Sequence, residues 1–173
     1  EGVKEKSLPQ LVTMEKLASY CLTEPGSGSD AAALRTRADR TNEGWRLNGT
    51  KAFISGGGYS DAYIAMVRTG TSGPRGISAV IVENGSSGLS FGSLEDKMGW
   101  RAQPTTQVQF DDCLVPADNL LGEEGRGFAM RNADFLFTPV FDLGQAKETV
   151  ADIKQKSQSV GRDVQVLTFC TVV

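Results

Sequence analysis

The residues with the clearest chemical use lie in two short stretches of the 173-residue chain. The first, Gly26-Ser-Gly-Ser-Asp-Ala31, has the G-x-G-x-x-G/A spacing of a loop that holds a dinucleotide pyrophosphate. A Rossmann-type NAD(P) domain would place a long helix directly after that loop. Glu24-Pro25 before the loop and a period-two alternation after it favour a glycine-serine turn between strands instead.

The same stretch offers a second kind of site. Small hydroxyl residues around Gly28 would let backbone amides approach a phosphate closely, while Tyr20 and Thr23 supply an aromatic wall and a hydroxyl donor. In the other stretch, 51–55, Phe53 and Ser55 are two residues apart and share one face of a strand. One could stack on a planar ring while the other binds its edge. The local pattern by itself favours a simpler alternative, with Phe53 in the core.

Composition excludes several kinds of chemistry. There is no histidine, which rules out a Ser-His-Asp or Cys-His nucleophile pair and a helical His-Glu-x-x-His zinc site. A net charge of −3 leaves no basic excess for nucleic acid or an anionic membrane, and we expect neither partner. Three cysteines without close spacing predict neither a disulfide framework nor a metal site, and suit a reducing compartment. No apolar run is long enough to span a membrane.

Short strands must position these residues, because the 20 glycines follow no collagen-like period and mark frequent tight turns. A helix is predicted at 8–16, with Pro9 near its start. Asn48-Gly49 is the strongest hairpin signal, between strands at 44–47 and 51–55. The other predicted strands are 18–23, 34–40, 62–68, 77–83, 89–91 and 105–111. This spacing predicts a mainly β domain, a barrel or sandwich.

The pattern changes beyond about Arg126. A strand at 134–139, a helix at 142–159 and a strand at 164–173 predict an α/β unit. We therefore expect a lead-in segment at 1–17, a β-domain at 18–129 and a tail at 130–173. The charged first residues lack the apolar core of a signal peptide, and we expect them to be internal to a longer protein.

Several spaced motifs together resemble one family, the middle domain of the acyl-CoA dehydrogenases, over roughly residues 8–130. The motifs are Tyr20-Cys-Leu-Thr-Glu-Pro-Gly-Ser-Gly-Ser-Asp30, Leu47-Asn-Gly-Thr-Lys-Ala-Phe-Ile-Ser55, Gly88-Leu-Ser-Phe91, Lys97-Met-Gly-Trp100, Phe110-Asp-Asp-Cys-Leu-Val-Pro116 and Gly122-Glu-Glu-Gly-Arg-Gly-Phe128. The strings Thr13-Met-Glu-Lys-Leu-Ala-Ser-Tyr20 and Ala52-Phe-Ile-Ser55 are most similar to members that act on short branched acyl-CoA. The resemblance implies a β-barrel-like domain of two orthogonal sheets that forms one wall of an FAD site.

The resemblance also implies roles for individual residues. Thr23 matches a hydroxyl that binds the pyrimidine edge of the flavin, Phe53 an aromatic position, often Trp, that packs on the ring, and Ser55 a hydroxyl at flavin N5. Ser29 and, less directly, Thr69 match contacts to the acyl-CoA. The full set implied for FAD is Tyr20, Cys21, Leu22, Thr23, Gly28, Ser29, Phe53, Ile54 and Ser55.

The activity implied is α,β-dehydrogenation of an acyl-CoA, in which a carboxylate removes the α proton and the flavin accepts hydride. The family's catalytic Glu lies in a helical bundle after the β-domain, so no catalytic residue is expected in this chain, which by itself is expected to be inactive. The family further implies electron-transfer flavoprotein as a partner, a homotetrameric parent, and a bacterial cytoplasmic or mitochondrial matrix location. A non-catalytic fragment or chimera that provides only part of a flavin site is the alternative.

The tail at 131–173 resembles a late α/β unit of the luciferase-like flavin monooxygenases. The similarity rests on Asn132-Ala-Asp134, Phe137-Thr138 and Gly161-Arg-Asp163. It covers only about forty residues, and no functional residue is carried over from it.

Overall fold

The computed structural model describes residues 2–127, 135–140 and 165–170, with side chains described for 7–127. The chain divides into two compact units, Glu1–Phe128 and Ala129–Val173. The described part of the first unit contains helix α1 (Gly2–Val12) and eight strands. They are β1 (Ala18–Cys21), β2 (Arg37–Thr41), β3 (Gly44–Ser55), β4 (Ala62–Arg68), β5 (Ile77–Glu83), β6 (Leu89–Phe91), β7 (Thr105–Val115) and β8 (Leu120–Leu121).

Hydrogen bonds connect these strands into a single mixed sheet in the order β6-β7-β3-β2-β4-β5-β8, with β1 parallel to β4 at its side. The prediction of a mainly β domain is confirmed. Two groups of strands, β6-β7-β3-β2 and β4-β5-β8, meet at one residue pair, Arg37 with Arg68. We expected a barrel or two orthogonal sheets. The structure instead has one sheet, made of two groups of strands that are joined by this single residue pair.

Strand β5 shows why the sequence folds this way, because its apolar side chains alternate between two clusters. Val80 and Val82 belong to the larger cluster, whereas Ile77 and Ala79 belong to the smaller one. Both faces of the strand are covered, which explains its nearly continuous apolar sequence. The larger cluster consists of Cys21, Ala38, Trp45, Leu47, Ile54, Tyr63, Ala65, Val67, Val80, Val82, Val108, Phe110, Cys113 and Val115.

The hairpin predicted at Asn48-Gly49 is wrong, since β3 runs without interruption through both residues. The turn lies earlier, where Thr41 of β2 pairs with Gly44 of β3. Gly49 instead serves a close approach: its φ is 148°, and an added Cβ would lie 2.7 Å from the Cα of Thr36. Its neighbourhood also contains a register shift against β7. The glycine is needed for this close approach and not for a turn.

Asn48 compensates for the interrupted ladder at this bulge. Its side-chain oxygen accepts the backbone N–H of Asp112 at 2.9 Å, and its amide donates to the Asp112 carboxylate at 3.1 Å. Asp112 has a φ of 47°, a left-handed conformation that asparagine or aspartate tolerates better than most residues. The two side chains therefore hold β3 and β7 together where regular pairing is absent.

We expect Asn48→Ala to lower the free energy of unfolding by about 1 kcal/mol, because the bonds to Asp112 are lost. Urea denaturation followed by circular dichroism measures the change. Asn84→Ala is the matched control: Asn84 is exposed after β5, and no hydrogen bond of its side chain is found among the described residues. Equal stability of the two variants would contradict a clamp at Asn48.

The ends of the chain differ in detail from expectation. The helix predicted at 8–16 lies earlier, at Gly2–Val12, with Pro9 inside it, and the chain leaves it through Met14 at a φ of 60°. The charged residues at 4–6 are good helix formers, which our placement of Pro9 near the start left out. None of the helices in the described ranges is long and apolar enough to cross a membrane.

In the second unit, β9 (Phe135–Val140) and β10 (Gln165–Cys170) pair in parallel, with Thr138 opposite Thr168. These strands correspond to those predicted at 134–139 and 164–173. The helix predicted at 142–159 lies outside the described residues. Because two parallel strands need a crossover connection, the observed pairing is of the kind found in α/β units.

Candidate functional site

The structure brings together the two stretches that carry the predicted ligand contacts. Residues 19–23 lie beside 52–55: the amide of Ala52 donates to the carbonyl of Thr23 at 2.8 Å, and the hydroxyl of Ser19 donates to the carbonyl of Ser55 at 2.6 Å. Strand β1 thus lies between β4, with which it pairs, and the end of β3. This arrangement places Tyr20 and Thr23 next to the strand that carries Phe53 and Ser55.

Phe53 has the most unusual conformation in this region. Between Lys51, which pairs with Val108, and Ile54, which pairs with Thr106, β3 contains one extra residue. Phe53 adopts a φ of 57° at this bulge, and 67% of its surface is exposed. Left-handed backbone at a bulky residue costs about 1–3 kcal/mol and persists only where the surrounding structure holds it. The bulge turns the ring to the surface, so the alternative that Phe53 belongs to the core is wrong.

The predicted FAD contacts divide by exposure into three groups. The exposed contacts are Tyr20, Gly28, Ser29, Phe53 and Ser55, and the half-buried ones are Leu22 and Thr23. Cys21 and Ile54 are buried in the larger core cluster, so only their backbone is available to a ligand. Exposed aromatic residues and an exposed hydroxyl on two segments that are bonded to each other are suited to one face and one edge of a planar ring system.

The turn after Thr23 is built from its own hydrogen bonds. Glu24 and Ser27 exchange backbone bonds of 2.9 and 3.1 Å around Pro25-Gly26, and the Ser27 hydroxyl donates to the carbonyl of Asp30 at 2.7 Å. Ser27 is therefore a structural residue. Gly28 and Ser29 are exposed, and an added Cβ at Gly28 would meet nothing within 4 Å. Backbone at this point is open to a phosphate group.

The Rossmann alternative is wrong. The segment after the glycines is a three-residue 3₁₀ turn, Ala31–Ala33, and not a long helix, so no helix end is available for a pyrophosphate. Leu34, Thr36 and Ala38 are buried while Arg35 and Arg37 are exposed, which confirms the period-two alternation predicted there. Leu34 belongs to the smaller core cluster and Leu22 packs against it, and these contacts fix the loop to β4 and β5.

An ion pair between Glu24 and Lys51 was not predicted. Their side chains are 7% and 0% exposed, and the Lys51 ammonium lies 2.8 Å from the Glu24 carboxylate. Burial by itself would raise the pKa of Glu24, but hydrogen bonds from Lys51 and from the amides of Arg35 and Thr36 hold the pKa below its usual value. The residues are 27 apart in sequence, so no local spacing indicates the pair.

The two predicted acyl-CoA contacts, Ser29 and Thr69, lie on segments connected by Arg68. Its guanidinium donates to the carbonyls of Ala32 and Leu34 at 2.7 and 2.9 Å, and to two carbonyls of the loop after Thr69. Thr69 is half-buried, and its hydroxyl lies 2.6 Å from that of Ser78, which also accepts the amide of Gly125. Either hydroxyl can be the donor in the contact between Thr69 and Ser78. The Thr69 proton is available to a ligand when Ser78 is the donor.

Burial raises the pKa of the Cys21 thiol to about 12 and that of Cys113 to about 11. We expect neither thiol to react with Ellman's reagent near neutral pH while the chain is folded, because the reactive thiolate is absent and access is blocked. Labelling a Cys170→Ala variant before and after addition of urea measures this, with both thiols reacting only after unfolding. Rapid labelling without urea would show that at least one of the two thiols lies at an open surface.

Comparison with known proteins identifies similar chains. The sequence profile described as "Acyl-CoA dehydrogenase, middle domain" matches residues 19–113. The chain is 60% identical over 128 residues to the mitochondrial isobutyryl-CoA dehydrogenase of Bos taurus. The matched residues cover 74% of this chain and 31% of that protein.

Solved structures give the same picture. Butyryl-CoA dehydrogenase from Megasphaera elsdenii has a TM-score of 0.71 at 45% identity, over 74% of this chain and 34% of that one. A structure described as the FAD complex of PigA has a TM-score of 0.73 at 32% identity, over 76% of this chain and 34% of that one. The chain spans about a third of the length of the relatives it matches.

Proposed function

This chain belongs to the acyl-CoA dehydrogenase family, and on that premise we propose that residues 18–129 bind FAD and face the acyl-CoA in a flavin-dependent acyl-CoA dehydrogenase. The observation that carries the proposal is the exposed ring of Phe53, held in a strained conformation next to Ala52, whose amide is bonded to Thr23. FAD, when bound, supplies the hydride acceptor for α,β-dehydrogenation.

The residues of this surface fit a flavin. Phe53 offers an aromatic face for the ring, and the hydroxyls of Thr23 and Ser55 offer donors for its polar edge. Open backbone at Gly28 and Ser29 offers N–H groups to the pyrophosphate. Donors fixed in this way stabilise charge without reorganisation when electrons arrive at the ring.

For the substrate we propose a short, branched acyl-CoA, with Ser29 and Thr69 binding its CoA portion. The 60% and 57% identities to isobutyryl-CoA dehydrogenases support this choice over a longer acyl chain. We further propose that the α-proton base is a carboxylate outside these residues. The family resemblance also leads us to propose electron-transfer flavoprotein as the oxidant, a homotetrameric parent, and a mitochondrial matrix or bacterial cytoplasmic location.

A more limited function is the second candidate. Tyr20 and Phe53 are 56% and 67% exposed, so the described residues form one wall of a ligand site. A site with one wall buries little of its ligand, and the chain by itself is then expected to bind FAD with low affinity. Tight, stoichiometric binding of FAD by the 173-residue chain would argue against this limited role.

Titration of FAD with the chain, followed by flavin fluorescence, tests the proposed site. We expect saturable binding, and for Phe53→Ala a dissociation constant about tenfold higher, the size of a lost aromatic contact. Trp100→Ala is a matched control, since Trp100 is also aromatic, 72% exposed and left-handed, with a φ of 52°. Equal weakening by both substitutions, or no binding at all, would contradict the proposal.

A further inference from the structure

The ion pair between Glu24 and Lys51 joins the two segments that carry the proposed flavin contacts. Besides the 2.8 Å contact between the charges, the Lys51 ammonium donates to the carbonyl of Leu22 at 3.1 Å. The next residue, Ala52, donates its amide to Thr23 at 2.8 Å. Three consecutive residues of one segment, 22–24, are thus bonded to two consecutive residues of the other.

Glu24 also fixes the far end of the loop that it begins. Its two carboxylate oxygens accept the amides of Arg35 at 2.6 Å and Thr36 at 2.9 Å. The exposed backbone of Gly28 and Ser29 lies between these anchors. One carboxylate therefore holds both ends of the proposed phosphate loop and the strand that presents Phe53.

Stability alone does not account for this pair. Removing two charges from water costs several kcal/mol for each ion, and a well-packed apolar pair is often as stable or more so. What an ion pair adds is a directional requirement, because the carboxylate must meet one cation and two amides at once. Lys51 is also the last regularly paired residue before the bulge, so its attachment to Leu22 and Glu24 restrains the backbone that holds Phe53 at a φ of 57°.

We propose that Glu24 and Lys51 are positioning residues of the flavin site, which hold the β3 bulge against residues 22–24 and so present the Phe53 ring and the Thr23 hydroxyl to one ligand. The proposal rests on the proposed function for its ligand. The geometric part of it does not, and can be measured without flavin. This allows the two proposals to fail separately.

The first measurement uses the 173-residue chain and the double variant Glu24→Gln/Lys51→Met, which removes both charges. Nuclear magnetic resonance gives the φ of Phe53 through its amide–α coupling and the protection of the Ala52 amide through hydrogen exchange. We expect the Phe53 coupling to rise as the residue moves towards extended backbone, and Ala52 to exchange at least about tenfold faster as its bond to Thr23 opens more often. An unchanged coupling together with unchanged exchange would overturn the proposal.

Two further variants keep this measurement decisive. Glu24→Asp retains the charge but shortens the side chain, so the carboxylate cannot meet Lys51 and both amides together. We expect the same changes at Phe53 and Ala52 in this variant, which replaces the double variant if that one does not fold. Val115→Ala is the matched control for loss of stability, since Val115 is buried in β7 and pairs with Trp45 at the other end of β3. Changes at Phe53 and Ala52 in Val115→Ala as well would indicate a general loosening and refute a positioning role.

The second measurement is the FAD titration of the same variants. We expect the dissociation constant to rise about tenfold in Glu24→Gln/Lys51→Met and to stay unchanged in Val115→Ala. If the unsubstituted chain binds FAD and the double variant binds it with equal affinity, the positioning role is refuted and the proposed function stands. Absence of binding by the unsubstituted chain would refute the proposed function, and the resonance data would still decide whether the pair sets the geometry of the bulge.

Discussion

Replacing Lys51 with methionine is expected to lower the free energy of unfolding by about 3–5 kcal/mol, one of the two largest effects we expect from a single substitution in this chain. Methionine fills much of the space of the lysine stem but leaves the Glu24 carboxylate, 7% exposed, without its cation. The amides of Arg35 and Thr36 still bind the carboxylate, but they neutralise no charge. Urea denaturation at neutral pH measures the loss.

The pH dependence of this loss identifies its cause. In the unsubstituted chain the pKa of Glu24 is held below its usual value, so the carboxylate contributes stability above about pH 4.3 that is lost as the pH falls. Without Lys51, burial raises the pKa of Glu24, and the sign reverses: the variant is penalised at high pH and relieved as the carboxylate takes up a proton. We therefore expect the stability difference to shrink between about pH 7.5 and pH 5.

The double variant Glu24→Gln/Lys51→Met provides the control for this prediction. Removing the second charge should restore part of the lost stability, because no uncompensated ion remains, although Gln leaves one of the two amides poorly bonded. A double variant as unstable as Lys51→Met, or a difference that is constant with pH, would show that packing around the lysine stem causes the loss.

Local sequence patterns were sufficient for the strands bounded by their own turns. The apolar, β-branched runs at 62–68 and 77–83 agree with β4 and β5, and the short strand at 89–91 agrees with β6, because turn residues bound each of the three. Phe53 and Ser55 were predicted to share one face of a strand and to bind a planar ring there. Both residues are exposed, as this requires, and their contact with a ligand stays a prediction.

What local patterns missed depends on partners distant in sequence. The exposure of Phe53 follows from a bulge against Val108 and Thr106, more than fifty residues away, and no property of residues 51–55 indicates it. No rule of local spacing indicates the Glu24–Lys51 pair either. In the sequence analysis Glu24 was evidence against a dinucleotide loop, whereas in the structure its carboxylate anchors the loop that follows it. The family resemblance carried the ligand assignment, since it compares both segments at once.

The second large effect on stability is expected at Gly49, where the sequence predicted a turn and the structure has a continuous strand. We expect Gly49→Ala to lower the free energy of unfolding by about 2–5 kcal/mol, the sum of backbone strain and overpacking. At a φ of 148° an L side chain is strained, and its Cβ would lie 2.6 to 2.8 Å from the Oγ1, Cα and Cβ of Thr36. A turn position would behave differently, because a turn residue at the surface tolerates alanine at a smaller cost.

Thr36 makes this substitution informative about the site as well as the fold. Its backbone amide is one of the two that bind the Glu24 carboxylate, so pushing Thr36 away should weaken that bond and loosen the far end of the loop at 24–36. Hydrogen exchange of the Arg35 and Thr36 amides in Gly49→Ala measures this, and we expect faster exchange at both. Gly99→Ala is the control, since an added Cβ there meets nothing within 4 Å. If Gly49→Ala is as stable as Gly99→Ala and the two amides exchange at an unchanged rate, β3 does not approach Thr36 closely in solution.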